Sequence, residues 1–233
     1  MTKLVDDMTP EDEELLMAEV RKIRQAQEQN LLTLPFTQGD DLSEIDQEFE
    51  VMKAHVHGLL NLMGYSPASS EHFLDTPRRV AKYLLSFRKP DYDIAEILGV
   101  QFESSSREMV MVRAASFTSM CAHHMLPFYG TANIAYLPAG KIVGVSKLVR
   151  ALRYYAHRPT VQEEITTQLA DAIEQHLSPD CMVILQGVHE CMKVRGVEDP
   201  NADMVTSAAR GKFLDNDAGL KDEFLALIRN GHR

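Results

Sequence analysis

The sequence predicts an α+β domain built on an antiparallel sheet, and three observations carry that reading. Apolar residues recur every three or four positions between residues 43 and 88 and again between 146 and 176, the period of helices with one buried face. Stretches rich in β-branched and aromatic residues fall between 108 and 145 and between 181 and 208, the texture of strands. The turn Pro138-Ala139-Gly140-Lys141 is short enough to join antiparallel neighbours and too short for a parallel crossover. Helices, then strands, then two helices, then strands is an α+β order, with no internal repeat.

Thr9-Pro10 followed by four acidic residues reads as a helix start, and a thin apolar stripe of Leu16, Val20 and Ile23 carries that helix to about Asn30. Residues 31–42 contain Pro35 and Gly39 and read as a linker, so residues 1–42 form an appendage and 43–233 the domain. Ser43-Glu44-Ile45-Asp46 resembles a capping box, and Phe49, Met52, Val56, Leu59, Leu60 and Met63 form the stripe of a helix that stops at Gly64. Thr76 is expected to cap the next helix, with Pro77 at its first position and Val80, Tyr83, Leu84 and Phe87 facing the core. Arg78 and Arg79 fall in its first turn, where the helix dipole disfavours cations. They indicate an anion nearby, or else two solvated charges.

Strands are expected over 108–113 and 128–137, with a bulge at Gly130. Ser146 is expected to cap a helix carrying Leu148, Val149, Leu152 and Tyr155. Thr160 opens another, with Ile165, Leu169 and Ile173 inward. Strands follow over 181–186, 188–194 and 204–208, and Leu220, Phe224, Leu225 and Ile228 mark a closing helix.

The 233 residues carry a net charge of -10, which gives no general affinity for nucleic acid or anionic membrane. No apolar run approaches the roughly 18 residues of a membrane span, and the first residues lack the pattern of a signal peptide. Three cysteines do not make a disulfide framework. A cytoplasmic protein is expected.

The chemistry gathers in two stretches about 65 residues apart, Ser119-Met120-Cys121-Ala122-His123-His124 and His189-Glu190-Cys191-Met192-Lys193-Val194-Arg195. Cys121 and His124 are spaced for one metal ion across a tight turn. His189 and Cys191 would share a face of a strand. Thiolate and imidazole together suit zinc. Four ligands would make a closed structural site. Cys121, His124 and Cys191 alone would leave a position open for water, with His123 and His189 beside the metal as acid–base groups. Ser146, Lys147 and Arg150 lie at a helix start suited to phosphate. Lys147 and Arg150, with Arg79 and Arg195, form a set of four cations that fits a polyphosphate, or are separate surface charges. Glu163 either caps its own helix from Thr160 or accepts two adjacent donors of a planar base such as guanine. Cys181 reads as a core thiol.

From about Leu74 to Phe213 the chain resembles the GTP cyclohydrolase I family, through LDTPRRVAK, SMCAHHMLPF, GVSKL, RPTVQEEIT, HECMKVRGV and VTSAARGKF in that order. The resemblance implies a tunnelling fold, an antiparallel sheet with helices on one side, assembled as a homodecamer of two pentameric rings with sites shared between subunits. It implies conversion of GTP and water to 7,8-dihydroneopterin triphosphate and formate. By motif, Cys121, His124 and Cys191 hold Zn2+, which selects the open metal site. His123 and His189 act as acid–base groups, and Ser146 contacts the reacting sugar or base. Glu163 and Gln162 anchor guanine, while Arg79, Lys147, Arg150 and Arg195 bind the triphosphate. The family's usual glutamate between the first cysteine and the histidine pair is Ala122 here, and Glu190 stands where a neutral residue is usual. That exchange leaves several expectations open: Glu190 partly replaces the missing carboxylate or points away from the site, and the chain is a working enzyme, a zinc-containing paralogue that binds GTP or a pterin without full turnover as a regulatory or assembly subunit, or a related zinc enzyme that stops at the ring-opened formamide or acts on another nucleotide.

Overall fold

The computed structural model describes residues 44–88 and 92–229. The helix expected over 9–30, the linker over 31–42 and the Ser43 cap lie outside the described residues. A first unit, Met1–Glu48, is followed by a second, Phe49–Arg233, which holds the architecture.

Helix α1 spans Glu44–Leu62 and ends ahead of Gly64, whose φ of 83° glycine adopts at little cost. Its expected stripe is only partly covered. Val56 is buried, but Leu59 and Met63 are 55% and 60% exposed. The short helix α2, Glu71–Leu74, leads into α3, Thr76–Leu85. Asp75, not Thr76, occupies the cap of α3, and the Thr76 hydroxyl donates back to the His72 carbonyl instead. Asp75 also answers the paired arginines. Arg78 grips its carboxylate with two bonds of 2.7 and 2.6 Å, and Arg79 adds a third at 2.9 Å. The Arg78 bond, helped by Arg79, holds the Asp75 carboxyl down to about 2. The anion that the first turn requires is therefore supplied by the chain itself.

Helix α4, Ile94–Leu98, precedes β1, Gln101–Glu103, which pairs with β4, Lys141–Val143, in a two-stranded ribbon. The main sheet has the order β5-β2-β3-β6-β7. It comprises β2 (Val110–Cys121), β3 (Pro127–Tyr136), β5 (Pro159–Thr160), β6 (Cys181–His189) and β7 (Met204–Arg210). All its pairings are antiparallel except the short β2–β5 one. The molecule is thus α+β on an antiparallel-rich sheet. Strand β2 runs eight residues past the strand expected from sequence, straight into the first metal-type stretch. Its bulge falls at Ala114, with φ of 49°, where the Asn133 side chain accepts from the Ala114 amide at 3.1 Å. Gly130 lies instead in regular register between Phe117 and Gly187.

Helices α5 (Val145–Ala156) and α6 (Gln162–His176) cover one face of the sheet. Ile165, Leu169 and Ile173 are fully buried there, each stabilising the fold by about 1.5–3 kcal/mol through burial. Ser146 does not cap α5. Gly144 holds the cap position and Ser146 is the helix's second residue. The expectation that helices lie on one side holds for this pair and for α4, whose Ile94, Ile97 and Leu98 join the same core, but not for the closing helix. The closing helix α8, Leu220–Arg229, sets Phe224 against Phe213, Ala135 and Met182 on the opposite face. Alternation requires it, because Ala135 and Met182 point away from the Ile134 and Val183 side and are also apolar. Among the described residues no helix is long and apolar enough to cross a membrane.

Candidate metal centre

Strand β2 delivers Cys121 to the end of the sheet, and the chain then turns sharply. The Met125 amide donates to the Cys121 carbonyl and the Cys121 amide to that of Leu126, with Met125 at φ of 54°. This turn folds His124 back until its Nδ1 is 3.6 Å from the Cys121 sulfur. His123 Nδ1 lies 3.9 Å from the same sulfur. On the other side β6 stops at His189, and Glu190–Lys193 forms a single helical turn, α7. The strand expected over 188–194 is therefore replaced by a strand end and a turn, so His189 and Cys191 do not share a strand face. Cys191 swings to within 3.9 Å of the Cys121 sulfur. Cys121, His124 and Cys191 bring one ligand atom each within 4.8 Å of one another, and His189 is not part of that group. Burial, then Cys121, push the Cys191 thiol up, while Arg195 pulls it down. A divalent cation between the sulfurs relieves that conflict, so this donor set fits zinc, with three ligands and a fourth position for water.

His189 turns to a different partner. Its Nε2 is 3.0 Å from Gln162 Oε1, and its ring stacks on Phe128 with centroids 4.4 Å apart and planes 6° apart. Burial pushes its imidazole below the usual value, with the Glu163 carboxylate acting against that. Gln162, expected to meet a guanine, is fully buried beneath β6 and β7. Its amide nitrogen is shared among the Leu185 and Met204 carbonyls and the Thr206 hydroxyl, so in this conformation it serves the protein, not a ligand. Gly187 is glycine for the same reason: a Cβ there would run into Gln162 Oε1. Gly187→Ala is expected to cost about 1–3 kcal/mol by overpacking, read as a lowered urea midpoint at unchanged m.

Glu163 is exposed and does not cap α6. Val161 holds the cap position, and the Thr160 hydroxyl donates to Glu164 instead. Glu190 turns to Tyr129, whose hydroxyl donates to it at 2.9 Å, and does not join the metal group. The expected carboxylate replacement for Ala122 is absent from this arrangement. Arg195 is exposed near Cys191, whereas Arg79 remains tied to Asp75 on α3. Lys147 and Arg150 line a cavity of about 500 Å³ between α4 and α5, together with Arg153 and His157. Cys181 is a core thiol, 3.4 Å from the Ala170 carbonyl, and burial pushes it up to about 12. Sequence reasoning missed Thr206, Thr166 and Tyr129. A glycine inside a strand, as at Gly187, is the sequence signal of a close approach there.

A sequence model of GTP cyclohydrolase I matches residues 52–229. The GTP cyclohydrolase 1 of Bacteroides thetaiotaomicron is 41% identical over 190 residues, covering 80% of this chain and 95% of that protein. That of Bacillus pumilus is 42% identical over 192 residues, covering 81% and 100%. A crystal structure of the archaeosine synthase QueF-Like in the apo form overlaps 46% of this chain and 97% of that one at 15% identity and a TM-score of 0.37, too little to bear on the fold. With the family match spanning the metal-type group, the Gln162–His189 pair and the cationic helix α5, the chain belongs to the GTP cyclohydrolase I family.

Proposed function

We propose that the chain converts GTP and water to 7,8-dihydroneopterin triphosphate and formate, with zinc held by Cys121, His124 and Cys191. The observation that carries this is the three-ligand group, left open by a histidine that stands next to it in sequence yet bonds elsewhere. Zinc, when bound, supplies Lewis acidity that brings the pKa of a water molecule towards neutrality. The protein's own groups do the rest. Hydrolysis at C8 needs a proton delivered to N7 as the ring opens to a formamide, and a second water then releases formate. His123 lies beside the Cys121 sulfur and His189 two residues before Cys191, and histidine is the side chain suited to move those protons near neutral pH. The free face of Glu163 suits the adjacent N1 and amino donors of guanine. Lys147, Arg150 and Arg195, with Arg79 where its Asp75 partner yields, bind the triphosphate and hold the sugar in place while bonds at the base are remade. Ser146 joins them at the start of α5.

These groups support a site completed by a second copy. Helix α5 has 12 residues and is about 18 Å long. Its far end leads through His157 to Thr160, which pairs with Cys121. Ser146 and Lys147 therefore stand roughly a helix length from the metal group of their own chain, and serve a neighbour's site in the tunnelling fold, a homodecamer of two pentameric rings.

Base selectivity tests the nucleotide. GTP is expected to bind far better than ATP, and Glu163→Ala to weaken GTP by about 10–100-fold while leaving ATP unchanged. Calorimetric titration of both nucleotides reads the difference. Equal losses for both would remove guanine recognition from Glu163.

A further inference from the structure

We infer that Gln162 is a positioning residue for His189, fixing the N–H of that ring on Nε2 and leaving Nδ1 as the nitrogen that exchanges a proton with substrate. The inference rests on the proposed acid–base role of His189, but its structural half stands alone.

The Thr166 hydroxyl donates to the Gln162 main-chain carbonyl at 2.9 Å and so spends its only proton. The 2.6 Å contact between Thr166 and Thr206 must then be donated by Thr206. Thr206, its proton spent, can only accept from Gln162 Nε2 at 3.1 Å. The Leu185 and Met204 carbonyls, at 3.3 and 2.9 Å, also only accept. Three acceptors on one side leave a single orientation for the amide, nitrogen towards β6 and β7 and oxygen towards His189. An amide oxygen cannot donate, so the 3.0 Å contact with His189 requires the hydrogen on Nε2 of the histidine.

The ring is held in two further ways. Phe128 fixes its plane by stacking, and Gly187 leaves room for Gln162 Oε1 where any other side chain would displace it. Among the described residues His189 Nδ1 has no protein partner. The nitrogen left over for a reacting base is thus Nδ1. Thr206 and Thr166 are not among the residues of the metal group, yet through Gln162 they set the tautomer of a residue two positions from Cys191.

Solid-state 15N NMR of the zinc-loaded protein labelled at histidine, at about pH 8, tests this, with His189→Asn identifying the signal by its loss. The neutral ring of the parent is expected to show N–H on Nε2, and Gln162→Ala to give a mixture of tautomers. Thr206→Val is expected to lower kcat about tenfold, with KM and zinc content changed less than about twofold, because partners behind a site histidine typically contribute on this scale. Thr206→Ser, which keeps the hydroxyl, is expected to restore most of kcat. A parent ring with its hydrogen on Nδ1 overturns the inference. So does a tautomer that Gln162→Ala leaves unchanged. Both NMR outcomes are read without turnover, so a protein that releases no formate fails the functional reading while the positioning is still decided.

Discussion

His189→Ala is expected to lower kcat by about 10²–10⁴-fold while the protein still binds one zinc per chain and retains its affinity for GTP. The reason is its placement. His189 lies outside the trio of ligand atoms, bonds Gln162 and stacks on Phe128, so its removal takes away a proton carrier and no ligand. Metal analysis and nucleotide titration accompany the kinetics. Loss of zinc together with activity would make His189 a fourth ligand and the site a closed structural one.

Cys191→Ala is expected to act on the metal itself. Zinc content should fall from about one per chain to near zero, and formate release with it. The rise in melting temperature that zinc gives the parent should vanish, since a ligand that binds only the folded state stabilises it by mass action. Cys181→Ala is the matched control. It removes a fully buried thiol at a cost of about 1–2 kcal/mol and leaves zinc in place, because Cys181 bonds a helix carbonyl across the core. Equal zinc loss in both variants would contradict the ligand assignment.

The helical and strand periods were legible wherever one face packs on the core, as at Ile165, Leu169 and Ile173. The stripe of α1 was legible as a helix, yet Leu59 and Met63 remain exposed, because periodicity shows which residues share a face and not what covers it. The closeness of Cys121 and His124 followed from spacing across a tight turn, which is local geometry. Cys191 joined them for a different reason from the one the spacing suggested. Strand β6 ends at His189, so the H-x-C alternation breaks at the point where it was invoked. The bulge at Ala114 depends on Asn133, 19 residues away, and the Gln162 amide on Leu185, Met204 and Thr206, 23 to 44 residues away. Contacts of that range leave no periodic trace. The Arg78 and Arg79 mismatch had its answer three and four residues upstream, at Asp75, a signal present in the sequence. Glu190 lay within reach of Tyr129 only because β3 and β6 pair in the observed register.

The measurement that bears most directly on the account is product stoichiometry. The zinc-loaded protein is incubated with GTP, and formate and pterin fluorescence after oxidation are followed together. One formate and one dihydroneopterin triphosphate per GTP consumed, both abolished when zinc is removed and restored when it is returned, is the predicted result. GTP bound without either product, on protein whose zinc content is full, would contradict it and make Ala122 the mark of a binding paralogue.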